Sequence, residues 1–328
     1  MIDCLSCPAW INPQIDFLLF LQNIRVHYPE AWDKFFLSVT IFGEFWLPTL
    51  ICAIVYWCLD FKAGIYLFTL ESFNIFLTHL FKMIACVYRP WVLSTRIQPS
   101  ALAIPLAKGY SFPSGHSAMS SSVLGGCAYL LRKNKILCAF LVCLILLVGF
   151  SRLWLGVHTP QDVVCGLSIG LILIFAGNYI INWAQKDKNR YMYLLTAINI
   201  LSILILVYLN CFNTYRTDYI SGELLVDPQK LKYVTLVVYA FSLGIINGCF
   251  LCAKFCPFNP KDASVIRRIA RGITGSIFLI LMSQFIVKPI IINIIDIKIG
   301  VTLMFLVGLS VTLFYPLIFT RLNKIFIK

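Results

Sequence analysis

The chain has 328 residues, of which 60% are hydrophobic and only 12% charged, and its mean hydropathy is +0.85. The charged share is about half that of a soluble domain, and no soluble fold of this size hides so much apolar surface, so the composition leaves an integral membrane protein. The net charge of +13 does not point to nucleic acid as a partner, because the basic residues mark the ends of apolar runs instead of forming a stripe.

In chain order, residues 1–34 read as an N-terminal interfacial segment. It lacks the basic-then-apolar pattern of a cleavable signal peptide. Residues 11–34 predict an amphipathic helix lying in the interface, with Trp10 and Trp32 as surface anchors. Nine runs approaching the roughly 20 residues a span needs follow: 35–58, 64–81, 114–131, 136–151, 161–183, 191–211, 233–253, 272–290 and 299–319. The expected fold class is therefore all-α, a polytopic membrane protein of about nine transmembrane helices. The least regular run is 272–290, where Lys288 and Pro289 sit near the end. No soluble domain and no internal repeat is evident.

Most of the thirteen cysteines, such as Cys52, Cys127, Cys138, Cys143 and Cys165, fall inside these runs, where they behave as small buried hydrophobes. Cys4 with Cys7 and Cys252 with Cys256 have spacings that suit a metal or a disulfide. Neither pair has a histidine or second cysteine pair suitably placed, so no metal is expected.

Nine spans put the termini on opposite sides. Fifteen Lys and Arg fall on the face carrying Lys62, Arg132–Lys135, Lys186–Arg190, Lys254–Arg271 and the C-terminal tail. The other face carries nine outside the three clusters described next. The positive-inside bias then makes the first face and the C-terminus cytoplasmic. The expected location is a plasma (inner) membrane, with the clusters facing outward.

Those clusters are Lys82-x6-Arg89-Pro90, Pro113-Ser114-Gly115-His116 and Ser151-Arg152-x5-His158-x3-Asp162. They gather one lysine, two arginines, two histidines and an aspartate within 81 positions. The crossings fold them onto one face: His116 opens one run, Ser151 closes the next, and the short turn Arg132–Lys135 joins the two. Ser114 is placed to cap a helix whose first-turn amides would point at an anion. Arg89 and Arg152 offer paired donors to phosphate oxygens, and Lys82 adds a compact charge. A cation at membrane depth costs on the order of 2.5–3.5 kcal/mol, so three converging cations call for an anion.

Each piece also has a plainer reading. Thr159-Pro160-Gln161-Asp162 is a good helix start with Asp162 as its capping-box acid. Pro113-Ser114-Gly115 is an ordinary turn and cap, Lys82 and Arg89 can snorkel from a span end, and His116 can be a solvated interface histidine. Removing the site requires all of these at once. Glu71 and His79 share a helical face and suit bundle hydrogen bonds. Glu44 suits a partner for a pocket cation or a protonated buried acid, and His27 suits solvent. Tyr110 and Phe112 suit either an acyl or prenyl path or an interface anchor.

The three clusters resemble, position by position, the signature of the type 2 phosphatidic acid phosphatase superfamily, which includes lipid, sphingosine and sugar phosphate phosphatases. The resemblance is close over about residues 35–185. It implies a six-helix catalytic membrane core, 35–211 here, followed by a C-terminal transmembrane extension, 212–328. It also implies roles: His158 attacks phosphorus and forms a phosphohistidine, and Asp162 orients His158. His116 protonates the leaving oxygen and then activates water. Lys82, Arg89, Ser114, Gly115 and Arg152 hold the phosphate, with no metal and no cofactor. The implied partners are the lipid bilayer and a phosphorylated lipid or sugar; no oligomeric state follows. The leading expectation is a phosphatase for an isoprenyl diphosphate, phosphatidic acid or similar lipid. A sugar- or sphingoid-phosphate phosphatase, a lipid phosphotransferase and an anion transporter are the rivals.

Overall fold

The computed structural model describes residues 9–28, 30–107, 109–184, 186–211, 217–220 and 223–326. The Cys4–Cys7 pair lies outside them. In chain order come α1 (Asn12–Arg25), α2 (Glu30–Thr40), α3 (Trp46–Ile54), α4 (Phe61–Ala85), α5 (Pro90–Leu93), α6 (Gly115–Leu130), α7 (Lys135–Trp154) and α8 (Pro160–Ala184). Then follow α9 (Lys188–Cys211), α10 (Pro228–Phe255), α11 (Val265–Met282), α12 (Lys288–Asn293), α13 (Ile297–Leu309) and α14 (Tyr315–Phe326). Tyr219–Ile220 and Glu223–Leu224 form a two-residue antiparallel pair. Helices dominate because a chain in lipid must satisfy its backbone N–H and C=O groups within each segment.

The all-α polytopic membrane fold is as expected, but its spans differ in detail. Among the described residues seven helices are long and apolar enough to cross a membrane, or eight if the pair Glu30–Gly43 and Trp46–Leu59, bent by 48°, is one span. The remaining expected span, 114–131, is α6, a helix of only 16 residues. The interfacial helix expected over 11–34 is two helices. Tyr28 precedes a proline, which disfavours the α conformation there, and the chain restarts at Glu30 with Glu30 and Asp33 in the first turn, where acids favour a helix N-terminus. Trp10 is 55% and Trp32 45% exposed. Trp32 also meets the rings of Tyr28, Phe35 and Phe36.

The chain forms two compact units interleaved along the sequence: residues 1–48, 77–174 and 213–228 in one, and 49–76, 175–212 and 229–328 in the other. Helices α4 and α8 contribute to both. In the first unit α6 and α7 form a hairpin, and its turn ends at Asn134, whose side chain caps α7 by accepting from the Leu137 amide at 3.1 Å. Helix α2 lies against α7, where Phe36 packs on Trp154 and Phe150 and the Trp154 indole donates to Asp33 at 3.0 Å.

In the second unit three single-turn π segments, Val55–Leu59, Ser283–Val287 and Ser310–Phe314, interrupt the helices. Such a turn breaks the regular ladder and leaves carbonyls to find other donors. The Tyr56 hydroxyl and Trp57 indole donate to the carbonyls of Thr312 and Val311, each at 2.9 Å. The segment Ser283–Val287 sits directly before Pro289, which has no N–H to give an α-helix. It explains how Lys288 and Pro289 stay within one continuous helical run, Val265–Asn293.

Candidate active site

The first unit brings the three clusters together. Lys82 is in the last turn of α4, Arg89 precedes α5, His116 opens α6, Arg152 is in the last turn of α7, and Asp162 is in the first turn of α8. His158 lies on the short link between α7 and α8.

Two glycines let these segments close. A Cβ on Gly43 would stand 2.5 Å from the His116 carbonyl oxygen, and one on Gly166 would stand 2.6 Å from that of Ser114. Both neighbours are backbone and cannot swing away. The bend after α2 and the start of α8 therefore press directly on the N-terminus of α6. There Ser114 is the helix cap, accepting from the Ser117 amide at 3.4 Å, while its own amide donates to the Asp162 carbonyl at 2.9 Å. The cap and the helix after His158 are thus tied together.

His158 is the centre. It is 2% exposed. Its Nδ1 is 3.3 Å from Asp162 Oδ2 and 3.3 Å from Ser111 Oγ, and its Nε2 is 2.9 Å from an Arg89 nitrogen. Asp162 also accepts from the Thr159 amide at 2.8 Å, and its own amide donates to Thr159 Oγ1 at 3.3 Å. That reciprocal pair is a capping box. The capping reading of Asp162 holds, and the carboxylate that the box fixes faces His158. Burial, and then the charges of Arg89, Arg152 and Lys82, push the His158 imidazole well below its ordinary pKa, so the ring is neutral and its outer nitrogen carries a lone pair.

The cations are held as a set. Arg89 donates to the carbonyls of Gly109 at 3.1 Å and Val157 at 2.9 Å. Lys82 donates to the Tyr110 and Ser111 carbonyls at 2.8 and 3.2 Å, which pins the loop leading into Pro113. Arg152 is 1% exposed, and its Nε has no hydrogen-bond partner. A buried guanidinium donor without a partner is costly, and an anion is what would satisfy it. The half-buried Glu44 lies within electrostatic reach of Arg152. His116 lies within electrostatic reach of Arg152, His158, Arg89 and Lys82.

Other residues fall away. Tyr110 is fully buried against Tyr88, which removes the interface-anchor reading. His27 is exposed and donates to the Asn23 carbonyl. Glu71 accepts from the Thr49 hydroxyl in the second unit, a bundle hydrogen bond. Cys252 and Cys256 are free thiols, and no cluster of three potential metal ligands occurs among the described residues. A cavity of about 640 Å³ in the second unit, lined by Phe61, Lys62, Tyr191 and Phe258 among others, contains none of the clustered residues. Ser111 was not legible as a site residue. Its only signal is a hydroxyl two places before Pro113, and spacing gives that no weight.

Residues 62–186 match the model of the PAP2 superfamily, and residues 236–325 match that of the PAP2 superfamily phosphatase, transmembrane extension. A lipid A 4'-phosphatase of Bacteroides thetaiotaomicron is 30% identical over 168 residues, covering 48% of this chain and 72% of the relative. The chain belongs to the PAP2 superfamily. All eight residues that the motifs picked out, from Lys82 to Asp162, lie inside the first PAP2 match. Phosphatidylglycerophosphatase B of Bacillus subtilis is 35% identical over 97 residues, 27% of this chain and 47% of the relative. An undecaprenyl-diphosphatase of Sulfolobus acidocaldarius is 32% identical over 114 residues, 35% of this chain and 53% of the relative. The chain thus spans about half the length of these two. No solved structure matches it significantly.

Proposed function

We propose that this PAP2 protein is a metal-independent membrane phosphatase that hydrolyses a lipid phosphate monoester or diphosphate through a phosphohistidine. One observation carries the reading: a buried imidazole whose Nδ1 side faces a carboxylate and whose Nε2 side faces an arginine, within a set of three cations.

In the first step the Nε2 lone pair of His158 attacks phosphorus. The bond between phosphorus and the leaving oxygen breaks, and that oxygen takes a proton from His116. Arg89 gives up its contact with Nε2 to a phosphate oxygen as the P–N bond forms. Arg152 and Lys82, with the first amides of α6, supply further donors to the equatorial oxygens, and the Ser114 cap holds those amides in place. In the second step His116 takes a proton from water, the resulting hydroxide attacks phosphorus, and the P–N bond breaks to return neutral His158 and inorganic phosphate. Phosphoryl transfer depends mainly on positioning and charge stabilisation. The cations provide here what a metal ion provides elsewhere.

A lipid substrate is supported by the relatives' names and by the residues' place at the ends of membrane helices. The catalytic core is 35–211, with 212–328 as its extension. The bias of fifteen basic residues against nine supports an outward-facing site and a cytoplasmic C-terminus. The test is phosphate release by detergent-purified protein in EDTA, over a panel of isoprenyl diphosphates, phosphatidic acid, phosphatidylglycerol phosphate, sphingoid phosphates and sugar phosphates. Turnover on lipids with inhibition by vanadate supports the reading. Turnover confined to sugar phosphates removes the lipid, and binding without turnover makes the protein a carrier of anions.

A further inference from the structure

The loop hydroxyl of Ser111 sits where the chemistry is set. Ser111 is fully buried. Its backbone is held from both sides, with the amide donating to the Val87 carbonyl at 2.7 Å and the carbonyl accepting from Lys82 at 3.2 Å. This leaves the side chain one place to go. Oγ is 2.5 Å from Asp162 Oδ2 and 3.3 Å from His158 Nδ1.

Proton counting then assigns the network. An ionised carboxylate only accepts, so the single hydroxyl proton goes to Asp162, at a length typical of a charge-assisted O–H···O bond. The Ser111 lone pairs are left facing Nδ1, which must therefore carry its proton. That N–H faces Asp162 Oδ2 and Ser111 Oγ, and the Ser111 backbone, which Ser111→Ala leaves in place, also acts on the ring. With Nδ1 protonated, Nε2 is the bare nitrogen, consistent with an Arg89 donor 2.9 Å away.

We propose that Ser111 is a positioning residue of the phosphatase cycle: it fixes the Nδ1–H tautomer of His158 and moderates the pull of Asp162 on that ring. The assignment rests on the phosphohistidine reading above. The groups facing His158 are Asp162 from α8, Arg89 from the segment before α5, Lys82 from α4, Arg152 from α7 and His116 from α6. Ser111 tunes only one of these, the carboxylate. Without the hydroxyl, Asp162 loses a donor and pulls harder on Nδ1–H. Imidazolium is then favoured, and His158 protonates at higher pH.

The experiment compares full-length wild type and Ser111→Ala in detergent, with short-chain phosphatidic acid as the probe and rates measured from pH 4 to 9. Expected for S111A is a fall in kcat of about 10- to 100-fold, at or below the lower end of the roughly 10²–10⁴-fold that a positioned acid or base contributes, a KM within about twofold, and an acid limb of kcat/KM displaced upward by about half a pH unit or more. A merely structural serine would lower activity without moving the limb. Ser111→Cys, a poorer donor of similar size, carries the same test if the alanine variant fails to fold. An active wild type whose variant keeps its kcat, or keeps its acid limb in place, overturns the assignment alone. Where phosphatidic acid is not turned over, the member of the panel above that is turned over serves as the probe; a wild type that turns over none of them removes the phosphatase reading, and this assignment with it.

Discussion

The two units differ in how their buried polar side chains are grouped. In the second unit Arg271 donates to the Trp57 carbonyl at 2.8 Å and lies 3.8 Å from the centre of the Phe319 ring. The Trp57 indole and Tyr56 hydroxyl end on carbonyls that the Ser310–Phe314 π segment leaves open. These polar atoms terminate on backbone, and nothing further is asked of them. In the first unit side chains meet side chains: Ser111 on Asp162, Asp162 on His158, His158 on Arg89. Beside them Arg152, 1% exposed, keeps a buried Nε with no partner. The Nε of the half-buried Arg268 in the second unit also has none; what sets Arg152 apart is its place among Lys82, Arg89 and His158, where an unmatched donor beside other cations suits an anionic ligand. Both units are apolar and helical, so composition alone does not separate them.

The largest test of that contrast is His158→Ala. It should abolish phosphate release, a loss of about 10⁴-fold or more as for other covalent nucleophiles, while the melting midpoint in detergent stays near that of wild type. Residual turnover close to wild type would move the chemistry elsewhere. Arg152→Lys comes next. One ammonium cannot reproduce paired guanidinium donors, and a loss of about 10²- to 10³-fold in kcat is expected, as for removal of a transition-state donor. Near-normal kcat would mean the unpartnered Arg152 does not grip phosphate.

The second unit should answer differently. Trp57→Phe keeps most of the ring but strands the Val311 carbonyl, at a cost of about 1–3 kcal/mol. A lowered melting midpoint with unchanged kcat per folded molecule is the expected result. A specific loss of kcat would erase the distinction between the units. The smallest effect is in the pH profile. Because His158 is held well below its ordinary value, the nucleophile stays neutral as pH falls through about 6.5, the usual histidine range. The acid limb of kcat/KM in wild type should therefore lie below that range. A limb at or above it would mean that burial and the cations do not act on His158 as the geometry has it.

Much of the site could be read from residue types and spacing. Lys82, Arg89, His116, Arg152, His158 and Asp162 were identifiable because each lies at an end of an apolar run, and spans of fixed length return such ends to one face. Thr159-Pro160-Gln161-Asp162 announced its capping box, and the box is present. Ser111 was not identifiable, since a loop hydroxyl has no periodicity and its role depends on where Val87 and Lys82 hold its backbone. The break between α1 and α2 and the 48° bend after Gly43 were likewise missed. An apolar window registers only length and hydropathy, so it passes over Pro29 between α1 and α2, and a bend set by a neighbouring backbone leaves no trace in either.

The order of residues by itself determined the membrane class, the helical fold and the membership of the cluster of cations, histidines and aspartate, because lipid forces unpaired backbone into helices and places charge at their ends. Tertiary structure alone decided which ring nitrogen of His158 faces the carboxylate, which arginine stands against the other, and which buried donors have no partner. Those depend on distances of about 3 Å between segments far apart in the chain, and hydrogen bonds are too short-ranged and directional for spacing along a sequence to specify them.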